Sequence, residues 1–111
     1  MPERRNDEVL EREPITKKNE KLEHPRQYQV IFLNDDWTEI SFVVDQLKKH
    51  FHHSEEDANA MAQEVHTSGK GIAGCYQRDI AETKAMAVMD EAKAQEFPLQ
   101  VVIAPDPNSS N

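Results

Sequence analysis

With 111 residues, 37% of them hydrophobic and 31% charged, the chain has material for one small domain, and for a packed core only if part of it stays outside. A formal net charge of −8 argues against a nucleic-acid partner, which needs a basic patch. The single Cys75 allows no internal disulfide, no apolar run approaches the roughly 20 residues that cross a bilayer, and the acid-rich N-terminus has no apolar leader core, so a cytoplasmic protein with no membrane partner is expected.

Residues 1–24 hold six Lys/Arg and seven Asp/Glu, with Val9, Leu10, Ile15 and Leu22 as isolated aliphatics. Such a segment buries too little apolar surface to offset chain entropy, so it reads as a disordered arm with at most a transient helix over residues 8–13. The domain is expected over residues 25–104. Residues 105–111 read as a flexible polar tail.

The first strand is predicted over residues 27–33. A helix follows over 39–51, with Ile40, Val43, Val44, Leu47 and Phe51 inward at helical spacing. Thr38 is a plausible N-cap, and Glu39 favours the positive helix end. Ser54-Glu55-Glu56-Asp57 resembles a capping box and opens a second helix over 55–68, with Ala58, Met61, Ala62 and Val65 inward. Gly69 fits the stop. A second strand is predicted over 70–77. A third helix follows over 78–95, with Ala81, Ala85, Val88, Met89 and Ala92 inward, and a last strand over 98–104. The order βααβαβ predicts a small α+β sandwich, a three-stranded antiparallel sheet with three helices on one face.

The chemistry gathers at the first strand-to-helix turn, Leu33-Asn34-Asp35-Asp36-Trp37-Thr38, and at His66 in Val65-His66-Thr67-Ser68-Gly69-Lys70. Carboxylates, an amide oxygen and a neutral imidazole are all acceptors. Together they suit a small cation, above all an ammonium with three N–H donors. Leu33, Ile40, Val43 and Val65 would wall an apolar pocket beside it. Spacing does not choose between Asp35 and Asp36 as the main charge partner. Taken singly, each residue has a plainer reading: Asn-Asp-Asp as a capped turn, His66 as a helix-end histidine, and the aliphatics as core. Gly69-Lys70-Gly71 lacks the spacing of a phosphate loop.

Asn34-Asp35-Asp36-Trp37-Thr38, Val65-His66-x-x-Gly69-Lys70 and Ala81-Glu82-Thr83-Lys84, in order over residues 25–104, resemble the ClpS adaptors of bacterial ATP-dependent Clp proteases. The resemblance implies an adaptor without catalysis, cofactor or metal. It would capture proteins whose first residue is Leu, Phe, Tyr or Trp. Asn34, His66 and Asp35 or Asp36 would hold the α-amino group. Leu33, Thr38, Ile40, Val43, Ala62, Val65 and Leu99 would line the side-chain pocket. Asp79, Glu82 and Lys84, otherwise a solvated helix face, would contact the N-domain of a ClpA- or ClpC-like AAA+ unfoldase. The chain is expected to be a monomer. Two positions depart from the resemblance: Ile40 at the pocket mouth and Ala62, four residues before His66, both where Met is common. Trp37 replaces a commoner Tyr.

Two other classes compete with this reading. His50, His52 and His53, with His24 and Glu55 or Glu56, suggest a zinc or nickel site, but no second cluster at zinc-site spacing accompanies them. Asp35 or Asp36 with His66 suggests a hydrolase, but Ser41, Thr67 and Ser68 show no nucleophile motif and Cys75 sits inside a predicted strand.

Overall fold

The computed structural model describes residues 26–108, so the predicted arm, residues 1–24, and the end of the tail lie outside the described residues. Apolar alternation makes the first strand. Val30 and Phe32, two residues apart in β1 (Gln27–Leu33), face the same side and are fully buried. α1 (Ile40–Phe51) and α2 (Glu55–Ser68) follow, then β2 (Lys70–Gln77), α3 (Arg78–Ala94) and β3 (Gln100–Pro105). The predicted βααβαβ order is thus observed, and each boundary falls within two residues of its expected place.

β1 is the central strand, antiparallel to both neighbours in the order β2-β1-β3. Phe32 lies opposite Gly71 on one side and Val101 on the other. Val30, Phe32, Ala73 and Val101 turn toward the helices and are buried, whereas Ile72 and Val102 point to the other face and stay 44% and 41% exposed. One core results, with Leu47 of α1, Ala58 and Val65 of α2 and Val88 of α3 over the sheet. Burying a side chain such as Phe32 or Leu47 contributes about 1.5–3 kcal/mol. Edge-to-face ring pairs add shape to the packing: Phe32 with Phe51 at 5.7 Å, and Phe42 with Phe97 at 5.2 Å.

Three local expectations are corrected. Ile40, expected inward, is 41% exposed, while Phe42 and Gln46, not expected in the core, are buried. Thr38 is not the N-cap of α1; Glu39 holds that position and makes no side-chain cap bond. Thr38 instead belongs to the preceding turn, its N–H and hydroxyl both donating to the Asp35 carboxylate at 2.7 Å. The Ser54 cap is as expected, its hydroxyl accepting from the Asp57 N–H at 3.1 Å. Gly69 ends α2 at φ 94, a left-handed conformation that glycine adopts without a Cβ penalty, and its N–H returns to the Val65 carbonyl at 2.9 Å.

Candidate functional site

The turn after β1 is organised by one carboxylate. Asp35 Oδ1 accepts from the Trp37 N–H at 2.8 Å and the Thr38 N–H at 2.7 Å, and Oδ2 accepts from the Thr38 hydroxyl at 2.7 Å. Partial burial pushes the Asp35 carboxyl up. The Thr38 hydroxyl and the backbone N–H groups of Thr38 and Trp37 outweigh that and hold it below the usual carboxylate range. Three of its roughly four acceptor sites are therefore committed inside the turn, and one on Oδ2 stays open.

The Asn34 N–H donates to the Gly69 carbonyl at 2.9 Å, which ties the turn to the end of α2. The sequence marks Gly69 only as a helix stop, and a bond between segments so far apart leaves no local signal. Through that tie the Asn34 side chain and the His66 ring come to one rim. Both residues are exposed, and neither side chain has a hydrogen-bond partner among the described residues.

Leu33, Asn34, Asp35, Thr38, Ile40, Val43, Ala62, Val65, His66 and Leu99 line a single pocket. Every residue expected in the apolar pocket is in that lining, as are three of the four expected at the amine. Asp36 is not: it is exposed, outside the lining, and without a hydrogen-bond partner among the described residues. The two positions that depart from the resemblance both face the cavity, Ile40 at its exposed edge and Ala62 at a buried wall. The empty space is about 250 Å³ including the open mouth, and the part enclosed between the walls has room for about one water. Trp37 stands beside the turn, 72% exposed.

The expected partner face on α3 divides in two. Asp79 and Glu82 are exposed; Asp79 Oδ1 accepts from the Ile80 N–H at 3.0 Å, and Glu82 pairs with Arg78 at 3.3 Å. Lys84 is partly buried and points elsewhere. Its Nζ donates to the His50 carbonyl at 2.6 Å and lies 5.6 Å and 5.0 Å from the Phe51 and Tyr76 ring centres. It caps the end of α1 and so belongs to the packing between α1 and α3.

The histidines of the α1 end diverge. His50 Nε2 lies 2.8 Å from Glu91 Oε2, His53 Nε2 lies 2.7 Å from the Ala73 carbonyl, and His52 forms the left-handed C-cap of α1. His24 lies outside the described residues. Among the described residues, no three His, Cys, Asp or Glu side chains gather as a metal site. Also among them, no helix is long and apolar enough to cross a membrane.

Residues 23–102 match the family model described as ATP-dependent Clp protease adaptor protein ClpS. A Hydrogenovibrio crunogenus protein named ATP-dependent Clp protease adapter protein ClpS is 48% identical over 80 residues, covering 72% of this chain and 77% of that protein. A Burkholderia mallei protein of the same name is 39% identical over 103 residues, covering 93% and 94%. Among solved structures, Agrobacterium tumefaciens ClpS2 bound to L-phenylalaninamide is similar with a TM-score of 0.72 and 37% identity, covering 75% of this chain and 100% of that one.

Proposed function

The chain belongs to the ClpS family, adaptors of the ATP-dependent Clp protease rather than enzymes, and from that premise we propose that it captures proteins by a bulky apolar N-terminal residue, Leu, Phe, Tyr or Trp, and delivers them to a Clp-family unfoldase. The observation that carries this reading is the pocket itself, with acceptors at the rim and aliphatic walls below. L-phenylalaninamide, the ligand of the similar ClpS2, is an apolar ring beside a free α-amino group, and the same chemistry fits here.

A protonated α-amino group offers three donors. Asn34 Oδ1, a neutral His66 nitrogen and the open site on Asp35 Oδ2 supply three acceptors, and charge-assisted bonds of this kind are roughly twice as strong as neutral ones. Asp36 adds negative field without reaching the lining. Below the rim, the side chain meets Leu33, Val43, Val65 and Leu99. A phenyl ring needs more than one water's room, so Ile40, the most exposed of the aliphatic walls, swings aside on entry.

Delivery rests on other surfaces. Asp79 and Glu82 on α3 offer charge to the N-domain of a ClpA- or ClpC-like unfoldase, while Lys84 fixes α3 to α1 behind them. The N-terminal arm, residues 1–24, takes part in the transfer.

The test is a titration, followed by Trp37 fluorescence, of a Phe-initiated peptide with a free or an acetylated N-terminus. Acetylation removes the charge and leaves the rim acceptors unpaired, so binding should weaken tenfold or more, about 1.4 kcal/mol. Asn34→Ala and His66→Ala should cost a similar amount. Equal affinity for the free and the blocked peptide refutes the reading.

A further inference from the structure

We infer that Gly71, which does not itself line the pocket, sets how large a side chain the pocket accepts by letting Val65 rest against β2. The inference rests on the capture of N-terminal residues proposed above. Gly71 is buried, the second residue of β2, opposite Phe32. Its backbone is not left-handed; among the described glycines only Gly69 is. The conformation therefore does not call for glycine, and glycine within a strand loses chain entropy and offers no side chain to pack. What requires glycine is the approach of α2. A Cβ at position 71 would sit 2.7 Å from Val65 Cγ2, with the Met61 carbonyl oxygen next at 3.8 Å.

Carbon atoms in contact lie about 3.5–4.0 Å apart, so Val65 would have to retreat by about 1 Å. A β-branched residue in a helix has one strongly preferred χ1 and no flexible end to fold away. Either its side chain or the end of α2 then moves off β2. Val65 is buried and walls the pocket, and Ala62 is its neighbour on the same helix face. In a cavity with room for about one water, that retreat removes a large part of the width. The loss falls first on the largest rings, because overpacking costs rise with the volume inserted. Gly71 is in this sense a positioning residue for selectivity, and Val65 is the wall it positions.

The test compares peptides beginning with Trp, Phe and Leu on the wild type, Gly71→Ala, Val65→Ala and the double variant, with each melting temperature recorded. Gly71→Ala should lower the Trp-to-Leu affinity ratio about fivefold or more. In the double variant the ratio should return to within about twofold of Val65→Ala alone. A substitution that only destabilised the fold would lower all affinities together and would not be rescued by removing two more methyl groups from the core. A folded Gly71→Ala with an unchanged ratio overturns the inference, as does a double variant that keeps the deficit. Should Gly71→Ala fail to fold, Val65→Ala alone carries the test: it should raise the Trp-to-Leu ratio, and an unchanged ratio overturns the inference. A wild type that binds none of these peptides overturns the capture reading, and this inference with it.

Discussion

Replacing Asp35 by Asn removes a charge and keeps an acceptor; replacing it by Ala removes both. In the structure this carboxylate accepts three bonds of 2.7–2.8 Å inside the turn. Water competes for each at a partly exposed site, which holds each to the low end, about 0.5–1 kcal/mol net, and Asp35→Ala should lose about 1.5–3 kcal/mol. For a domain under 100 residues that lowers the melting temperature by roughly 5–20 °C. Asp35→Asn keeps Oδ1 for both backbone N–H groups and should lose about 1 kcal/mol at most. Binding separates the variants differently. An ammonium about 4 Å from the carboxylate gains about 1 kcal/mol in water and more where water is displaced. With the rim open to solvent, about 1–2 kcal/mol is expected, so Asp35→Asn should bind a Phe-initiated peptide roughly 5–30-fold more weakly. Because the Asp35 carboxyl is held low in the fold, its stabilisation is complete above the unfolded carboxylate range near pH 4 and is lost as pH falls through the lower folded value. The melting gap between wild type and Asp35→Asn should therefore be the same at about pH 5 and about pH 8. Thermal melts and Trp37 titrations of both variants decide the matter. If Asp35→Asn melts like Asp35→Ala, or binds like the wild type, the assignment of loop holding and charge to one side chain is wrong.

Glu91 joins α3 to α1. Hydrogen bonds from Gln46, His50 and Lys49 hold its carboxyl down at about 2, against a small opposing effect of burial. Glu91→Gln should lower the neutral-pH melting temperature by a few degrees at most, since the side chain is a third exposed and such pairs contribute about 1 kcal/mol or less. That gap should close as pH falls from about 4.5 toward 2; a gap that widens there would contradict it. Ala62→Met should fill the pocket wall and lower the Trp-to-Leu affinity ratio, measured with peptides differing only at the first residue; no change would mean that residue 62 does not shape the cavity. Deleting residues 1–24 should leave melting and peptide affinity nearly unchanged while slowing degradation by the partner unfoldase and protease, and full-rate delivery would refute a role for the arm.

The fold was legible because each element carries its own local signal. Val30 and Phe32 alternate, Ser54 caps, Gly69 stops, and the small residues of α3 recur at helical spacing. Ile40 departs from its expected burial because helical periodicity says which stripe is apolar, not where the stripe runs off the core onto a pocket mouth. Thr38 looks like a cap from its residue type alone, but its N–H and hydroxyl donate to Asp35 and close the turn, so the helix starts one residue later, with Glu39 at the N-cap. Lys84 looked like a solvated face because its acceptor, the His50 carbonyl, belongs to another helix, and only tertiary packing brings it near. Spacing does not choose between Asp35 and Asp36 for a related reason. Both suit a turn, and the order in which backbone N–H groups reach a carboxylate is set by dihedral angles that composition does not reveal.

The narrowness of the pocket bears on what it would select. The enclosed cavity has room for about one water, so a methyl-sized first side chain would enter without opening it but would bury little apolar area, while the proposed amine acceptors at its rim would be open to any free N-terminus. Rim and walls then act as two conditions on one ligand. The rim alone would bind every unblocked chain weakly, because exposed charge-assisted bonds compete with water. The walls alone would bind apolar side chains anywhere in a sequence. Were the pocket to open at Ile40, only a large side chain would offset the cost, at about 25 cal/mol per Å² of apolar area buried, and in the proposed mode only a side chain that follows a free amine would reach the walls from the rim. On the proposed function, discrimination against small N-terminal residues would then need no group that repels them, because a small side chain gains too little buried area to add to the weak rim bonds.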